Sequence, residues 1–291
     1  MTKKIKSYLE LYANRKLSSQ YPDLEHLGSL YKKEQHEKRL NQENSAEIKD
    51  NYKKIIIECL FRLTDLNGSS KRALDIGCGP TPVFVRELID NGLDAKGIEP
   101  VDEMCQFAQD FLSDKSRVIT GCAEEIPVPD NSQSFVALNS VLEHVTSPIL
   151  TLNEIYRVLE PGGVVYIETT NRHMFHNYEY IKRFFQWYPA ILKESYVFMH
   201  LHYRPELARY TSRPAVHWFS YSDLCKLGRY AGFSSFYSPI DLISEDDITE
   251  RGFQGSLARF LLRYCKYNPL LRSLVLTFTV IGGAIFMVKE R

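Results

Sequence analysis

Ala73-Leu74-Asp75-Ile76-Gly77-Cys78-Gly79, followed twenty residues later by a second apolar run that ends on Glu99, is the stretch that decides the fold. A buried strand runs into a turn tight enough to demand glycine, and a carboxylate closes the next strand. An α/β sheet holds a nucleoside in this way, with backbone against the ligand and a carboxylate on the ribose hydroxyls. A dinucleotide fingerprint would place a third glycine at position 82, which is Pro82. Pro80 and Pro82 also lack the backbone N–H groups that a diphosphate would use. The pattern therefore fits a nucleoside without phosphates.

Five stretches carry a family resemblance. Leu74-Asp75-Ile76-Gly77-Cys78-Gly79-Pro80 resembles the first motif of class I S-adenosylmethionine-dependent methyltransferases, and Gly97-Ile98-Glu99-Pro100 their second. Gly121-Cys122-Ala123-Glu124-Glu125-Ile126-Pro127 is similar to their adenine-binding loop. Asn139-Ser140-Val141-Leu142-Glu143-His144-Val145 and Val158-Leu159-Glu160-Pro161-Gly162-Gly163 resemble the later motifs, in order and at ordinary spacing. The resemblance is close over residues 70 to 172 and loose over 215 to 291. It implies a Rossmann-like, doubly wound sheet of seven mostly parallel strands with the last antiparallel.

The same resemblance implies S-adenosyl-L-methionine as cofactor and S-adenosyl-L-homocysteine as product, held by Asp75, Gly77, Cys78, Gly79, Glu99, Pro100, Met104, Ala123, Glu124, Asn139 and Ser140. Gly77 and Gly79 let the backbone approach the ligand with no Cβ in the way. Asp75 anchors the glycine loop or the cofactor ammonium. Glu99 accepts from both ribose hydroxyls. Met104 covers one adenine face. Asn139 and Ser140 line the methyl channel. Two positions depart from the family pattern: Cys122 stands where many members carry an acid, and Ser134 where relatives carry Asp.

Methyl transfer from a sulfonium chiefly requires alignment, and an oxygen nucleophile also needs a base. His144, beside Glu143 after the fourth strand, is the expected base, since imidazole titrates near neutrality. Glu143-His144 is also similar to the Glu-x-x-Glu-His arrangement of ubiquinone-pathway and small-RNA methyltransferases that hold a metal. The first Glu of that arrangement falls on Ser140 here. A divalent metal is therefore not expected, although His173, His176, His200 and His202 are available as nitrogen ligands.

The 291 residues are 44% hydrophobic and 25% charged, with Lys+Arg and Asp+Glu both 36. With zero net charge there is no global field to favour nucleic acid, which is not an expected partner. Six scattered cysteines with no Cys-x-x-Cys pair, and no N-terminal apolar signal, fit a reducing cytoplasm. The longest apolar run, Leu274 to Val288, is shorter than a membrane span and reads as a buried strand. Across 257–276, leucines and Phe260 alternate with Arg259, Arg263, Lys266 and Arg272, as in an interfacial helix or one packed on the sheet edge. A weak membrane contact is thus a second partner reading beside the small-molecule acceptor.

Four regions follow. Residues 1–67 form an N-terminal helical cap, with Ile55, Ile56, Cys59, Leu60 and Leu63 at helical spacing. Residues 68–172 form the cofactor-binding core. Residues 173–219, rich in aromatics and histidines, form a lid giving an aromatic-walled acceptor pocket. Residues 220–291 complete the core, with a helical insertion at 255–273 between two last strands at Phe233–Leu242 and Thr277–Lys289. The reading is a small-molecule methyltransferase acting on a hydroxyl oxygen. The alternatives are transfer to nitrogen or carbon of a small molecule or lipid, or a non-catalytic methyltransferase-like binding protein.

Overall fold

The computed structural model describes residues 47–64, 71–174, 187–189, 192, 215, 217–248 and 253–290. Its centre is a seven-stranded sheet in the order β3-β2-β1-β4-β5-β7-β6. The strands are β1 (Arg72–Ile76), β2 (Asp94–Glu99), β3 (Val118–Thr120), β4 (Gln133–Asn139), β5 (Leu159–Glu168), β6 (Ser235–Tyr237) and β7 (Ala284–Val288). The pairings from β3 through β5 are parallel, while β7 runs antiparallel to both β5 and β6. This is the doubly wound Rossmann-like sheet with a reversed last strand. The chain order turns back between β1 and β4, which creates a crevice at the strands' carboxyl ends.

The helices are α1 (Glu47–Leu63), α2 (Val83–Asp90), α3 (Asp102–Leu112), α4 (Pro148–Val158), α5 (Tyr221–Ala231), α6 (Pro239–Leu242), α7 (Phe253–Tyr267) and α8 (Pro269–Phe278). Two apolar clusters fill the two sides of the sheet. Ile56, Leu60, Phe84, Leu88, Phe135 and Phe286 belong to one, and Leu74, Ile98, Leu138, Leu152, Ile155 and Leu224 to the other. Alternate residues along each central strand point to opposite faces, and β1 and β4 are buried on both sides. Each of these large side chains contributes about 1.5–3 kcal/mol by leaving water. Ser134, the departure at the start of β4, spends its hydroxyl on the Arg72 carbonyl across the strand pair at 2.9 Å.

The C-terminal elements differ from the sequence expectation. Phe233–Leu242 is not one strand: β6 spans three residues, after which Ser238 and Asp241 form a reciprocal cap and Pro239 opens α6. Nor is Leu274–Val288 a continuous strand. Thr277 and Thr279 bond back to the carbonyls of Ser273 and Val275, so the helix persists to Phe278. Gly282 and Gly283 then pass so close to the Leu276 and Thr169 carbonyls that any Cβ would overlap them. Extended pairing begins only at Ala284. The helical stretch runs as two helices, broken where the Asn268 side chain caps Leu271 N–H and Pro269 starts α8.

Candidate active site

Ile76, Ile98 and Leu138 pair at the ends of β1, β2 and β4, so the segments after these strands meet at one edge. The turn after β1 folds back over β2. Gly77 and Cys78 N–H both donate to the Ile98 carbonyl, at 2.7 and 3.1 Å. Gly77 and Gly79 both sit at φ of +67°, where side chains are strained. A Cβ on Gly77 would also lie 2.5 Å from a Val141 methyl. Cys78 points its thiol inward against Gly97, whose missing Cβ makes the room. Burial pushes that thiol well above its usual range, so Cys78 is a packing residue whose backbone belongs to the loop.

Glu99 ends β2 with only 5% of its surface exposed. Its Oε2 accepts the Gly79 N–H and its Oε1 the Val101 N–H, both at 3.1 Å. The carboxylate thereby ties the glycine loop to the start of α3. Pro100 is exposed beside it, and Met104 is buried on α3.

Asp75 is 4% exposed at the end of β1. Burial pushes its carboxyl up to about 7. The Lys53 charge from α1 and a hydrogen bond from the Asn139 side chain pull the other way, and the Glu99 charge adds to the rise. Lys53 was not foreseen. Its signal lay in the helical spacing of Ile56, Ile57 and Leu60, which seats α1 against the sheet and brings the preceding turn to the strand ends.

At the end of β4, Asn139 is half-buried and Ser140 exposed, the latter at φ of +55° with its N–H on the Glu168 carbonyl at 2.8 Å. A non-glycine residue in this region stores strain of roughly 1–3 kcal/mol, a feature that concentrates at functional sites. In the 121–127 loop, Ala123 is buried. Glu124 Oε1 accepts from Thr146 N–H at 2.7 Å and Ser147 N–H at 3.4 Å, pinning this loop to the one before α4.

Glu143 has no exposed surface. Its two oxygens accept from the Thr169 and Thr170 hydroxyls at 2.7 and 3.2 Å, and its carbonyl accepts from His217 N–H. It cross-links the segments after β4 and β5 to the segment that leads into α5. His144, next in the chain, is half-buried in a turn closed by its N–H on the Val141 carbonyl. Thr169, Thr170 and Asn171 were missed by sequence reasoning, although with Glu168 they form a polar run directly after the apolar Val164–Ile167 that marks a strand end facing a site. Most of the 173–219 segment, with His176, His200 and His202, lies outside the described residues. Among the described residues, no group of three or more His, Cys, Asp or Glu is placed to hold a metal ion.

The donor set fits S-adenosylmethionine. A buried carboxyl poised near neutrality faces the need for a cation, a second buried carboxylate stands at the end of β2 where a diol would lie, and glycines clear the approach. Residues 74–167 match the family model described as a methyltransferase domain. An uncharacterized methyltransferase of Schizosaccharomyces pombe is 33% identical over 106 residues, 32% of this chain and 38% of that protein. A demethylmenaquinone methyltransferase of Geobacillus is 31% identical over 107 residues, covering 34% and 46%. A mitochondrial ubiquinone biosynthesis O-methyltransferase of Rattus norvegicus is 32% identical over 111 residues, covering 36% and 32%. The matches thus span less than half the length of each relative. Sheet order, glycine turn and matched segment together make residues 74–167 a Rossmann-like methyltransferase domain of the class I S-adenosylmethionine-dependent type.

Proposed function

We propose that the protein transfers a methyl group from S-adenosylmethionine to a hydroxyl oxygen of a small molecule. The observation that carries the reading is the pair of buried carboxylates, Asp75 and Glu99, on either side of the Gly77–Gly79 turn. When bound, the cofactor supplies a methyl group on an already activated sulfonium. Glu99 orients the ribose through its carboxylate, and Asp75 with Asn139 holds the ammonium end. Ser140 borders the methyl channel. His144 takes the acceptor proton, and Glu143 fixes the backbone from which His144 projects, through Thr169, Thr170 and His217.

A small acceptor agrees with the chain's zero net charge and with relatives named for ubiquinone and menaquinone biosynthesis. A cleft of about 410 Å³ lies beside His173, the α5 start at Ser220–Ser222, and Arg272, Leu276 and Thr277 of α8. It offers hydroxyls and apolar walls, with the Arg272 guanidinium held by Asp241, as a small hydroxylated ring would require. The test is transfer of labelled methyl from S-adenosylmethionine to a panel of phenols, catechols and matched amines, with His144→Ala alongside. Labelled phenols or catechols, diminished in the variant, support oxygen transfer with His144 as base. Labelled amines alone, or full activity in His144→Ala, overturn it.

A further inference from the structure

α8 is a ten-residue helix of sequence Pro-Leu-Leu-Arg-Ser-Leu-Val-Leu-Thr-Phe, and none of its residues is buried. One face, at Pro269, Arg272, Ser273, Leu276 and Thr277, lines the cleft. Another, at Leu270, Leu274 and Phe278, follows the i, i+4, i+8 spacing of a single stripe and is exposed, Leu270 by 72%. The preceding helix continues the surface. Phe260, Tyr264 and Tyr267 of α7 stand at i, i+4, i+7, with the first two rings 4.2 Å apart and Tyr267 84% exposed. Trp187, itself half-exposed, stacks on Phe278 at 6.4 Å and extends the patch. Exposed apolar stripes of this kind on two successive helices mark an interaction site.

The chemistry of the patch selects a lipid surface. From Arg251 through Lys289 the chain has no Asp or Glu, while α7 and α8 carry Arg259, Arg263, Lys266 and Arg272. Arg263 and Arg272 pair with Glu245 and Asp241, and Lys266 donates to the Ile243 carbonyl. The attraction to anionic headgroups is therefore modest, and the apolar stripe supplies most of the drive. Leucines and Phe260 suit the acyl boundary, and the tyrosines and Trp187 the headgroup level. Among the described residues no helix is long and apolar enough to cross a membrane. We infer that the α7–α8 pair docks flat on a membrane interface, with the cleft on the neighbouring face of α8.

This inference does not depend on the methyl-transfer reading, and vesicle binding is measured without cofactor. The experiment is co-sedimentation of the full chain with phosphatidylcholine vesicles and with vesicles carrying phosphatidylglycerol. Wild type is compared with Tyr267→Ser/Leu270→Ser, and both are checked by circular dichroism. Wild type should pellet with both, more with the anionic vesicles, and high salt should reduce but not abolish binding. Removing two of the most exposed apolar side chains should lower the partition coefficient at least about tenfold. Wild type left in the supernatant with both vesicles overturns the inference, as does equal pelleting of the folded variant. A dimer in light scattering that the variant dissolves, without vesicle binding, gives the patch to a second copy instead.

Discussion

Glu99 Oε2 receives the Gly79 N–H at 3.1 Å, so the carboxylate at the end of β2 holds the glycine turn that follows β1. With Oε1 on Val101 N–H, one side chain fixes both the turn and the start of α3. Backbone N–H bonds to a charged acceptor contribute about 1.5–3 kcal/mol each. Glu99→Ala should therefore weaken S-adenosylmethionine binding by two orders of magnitude or more and also lower the melting temperature. Glu99→Gln keeps one acceptor oxygen and should lose roughly tenfold in affinity. Titration calorimetry and thermal melts read both effects.

Asp75 gives a pH dependence of definite sign. Its folded carboxyl sits at about 7 because of burial, against 3.8 in the unfolded chain. Between those values the folded state holds a proton that the unfolded state has lost. Stability of the ligand-free protein must fall as pH rises from about 4 to 7, by on the order of 4 kcal/mol, and level off above that. A cationic ligand at the ionised carboxylate reverses the preference, so cofactor affinity should rise through pH 7. Asp75→Asn should flatten both profiles in chemical denaturation and calorimetry from pH 5 to 8.

Glu143 predicts a stability loss coupled to the site. Glu143→Ala leaves the Thr169 and Thr170 hydroxyls without their acceptor and opens a void at a fully buried position. The expected cost is about 2–4 kcal/mol in urea denaturation. Turnover should fall further than cofactor affinity, because the displaced backbone is the one carrying His144.

His144→Ala should lower turnover by about two to four orders of magnitude while changing cofactor affinity less than about threefold. The limb of the pH–rate profile that reports base ionisation should vanish with it.

Asn171 anchors the end of α8. Its Nδ2 lies 3.2, 3.1 and 2.7 Å from the Leu276, Thr277 and Thr279 carbonyls at the helix terminus, where carbonyls lose their partners within the helix; the Thr279 carbonyl also accepts from Gly282 N–H. Asn171→Ala should cost about 1–3 kcal/mol and raise amide exchange in 273–279 selectively.

The core was legible because its signals are local. The apolar runs of β1, β2, β4 and β5, the glycines at 77 and 79, and the terminal Glu99 each depend on residues close in sequence. The C-terminal third was not. Leu274–Val288 is equally apolar as helix or strand, and only the close pass of Gly282 and Gly283 against Leu276 and Thr169, more than a hundred residues from the latter, sets where helix ends. Glu143 shows the same divide at the site. Its position was readable, but the tie to Thr169, Thr170 and His217 depends on loops that meet only once the sheet has formed. Lys53 reaches Asp75 for the same reason.

The central claim is that the Asp75–Glu99 edge binds S-adenosylmethionine, and calorimetric titration of the full chain with S-adenosylmethionine and S-adenosylhomocysteine tests it most directly. The account predicts saturable one-site binding of both, with a dissociation constant between about 1 μM and 1 mM, weakened in Glu99→Ala and unchanged by EDTA. Absence of binding by either ligand to folded wild-type protein, or equal affinity in Glu99→Ala, would contradict it.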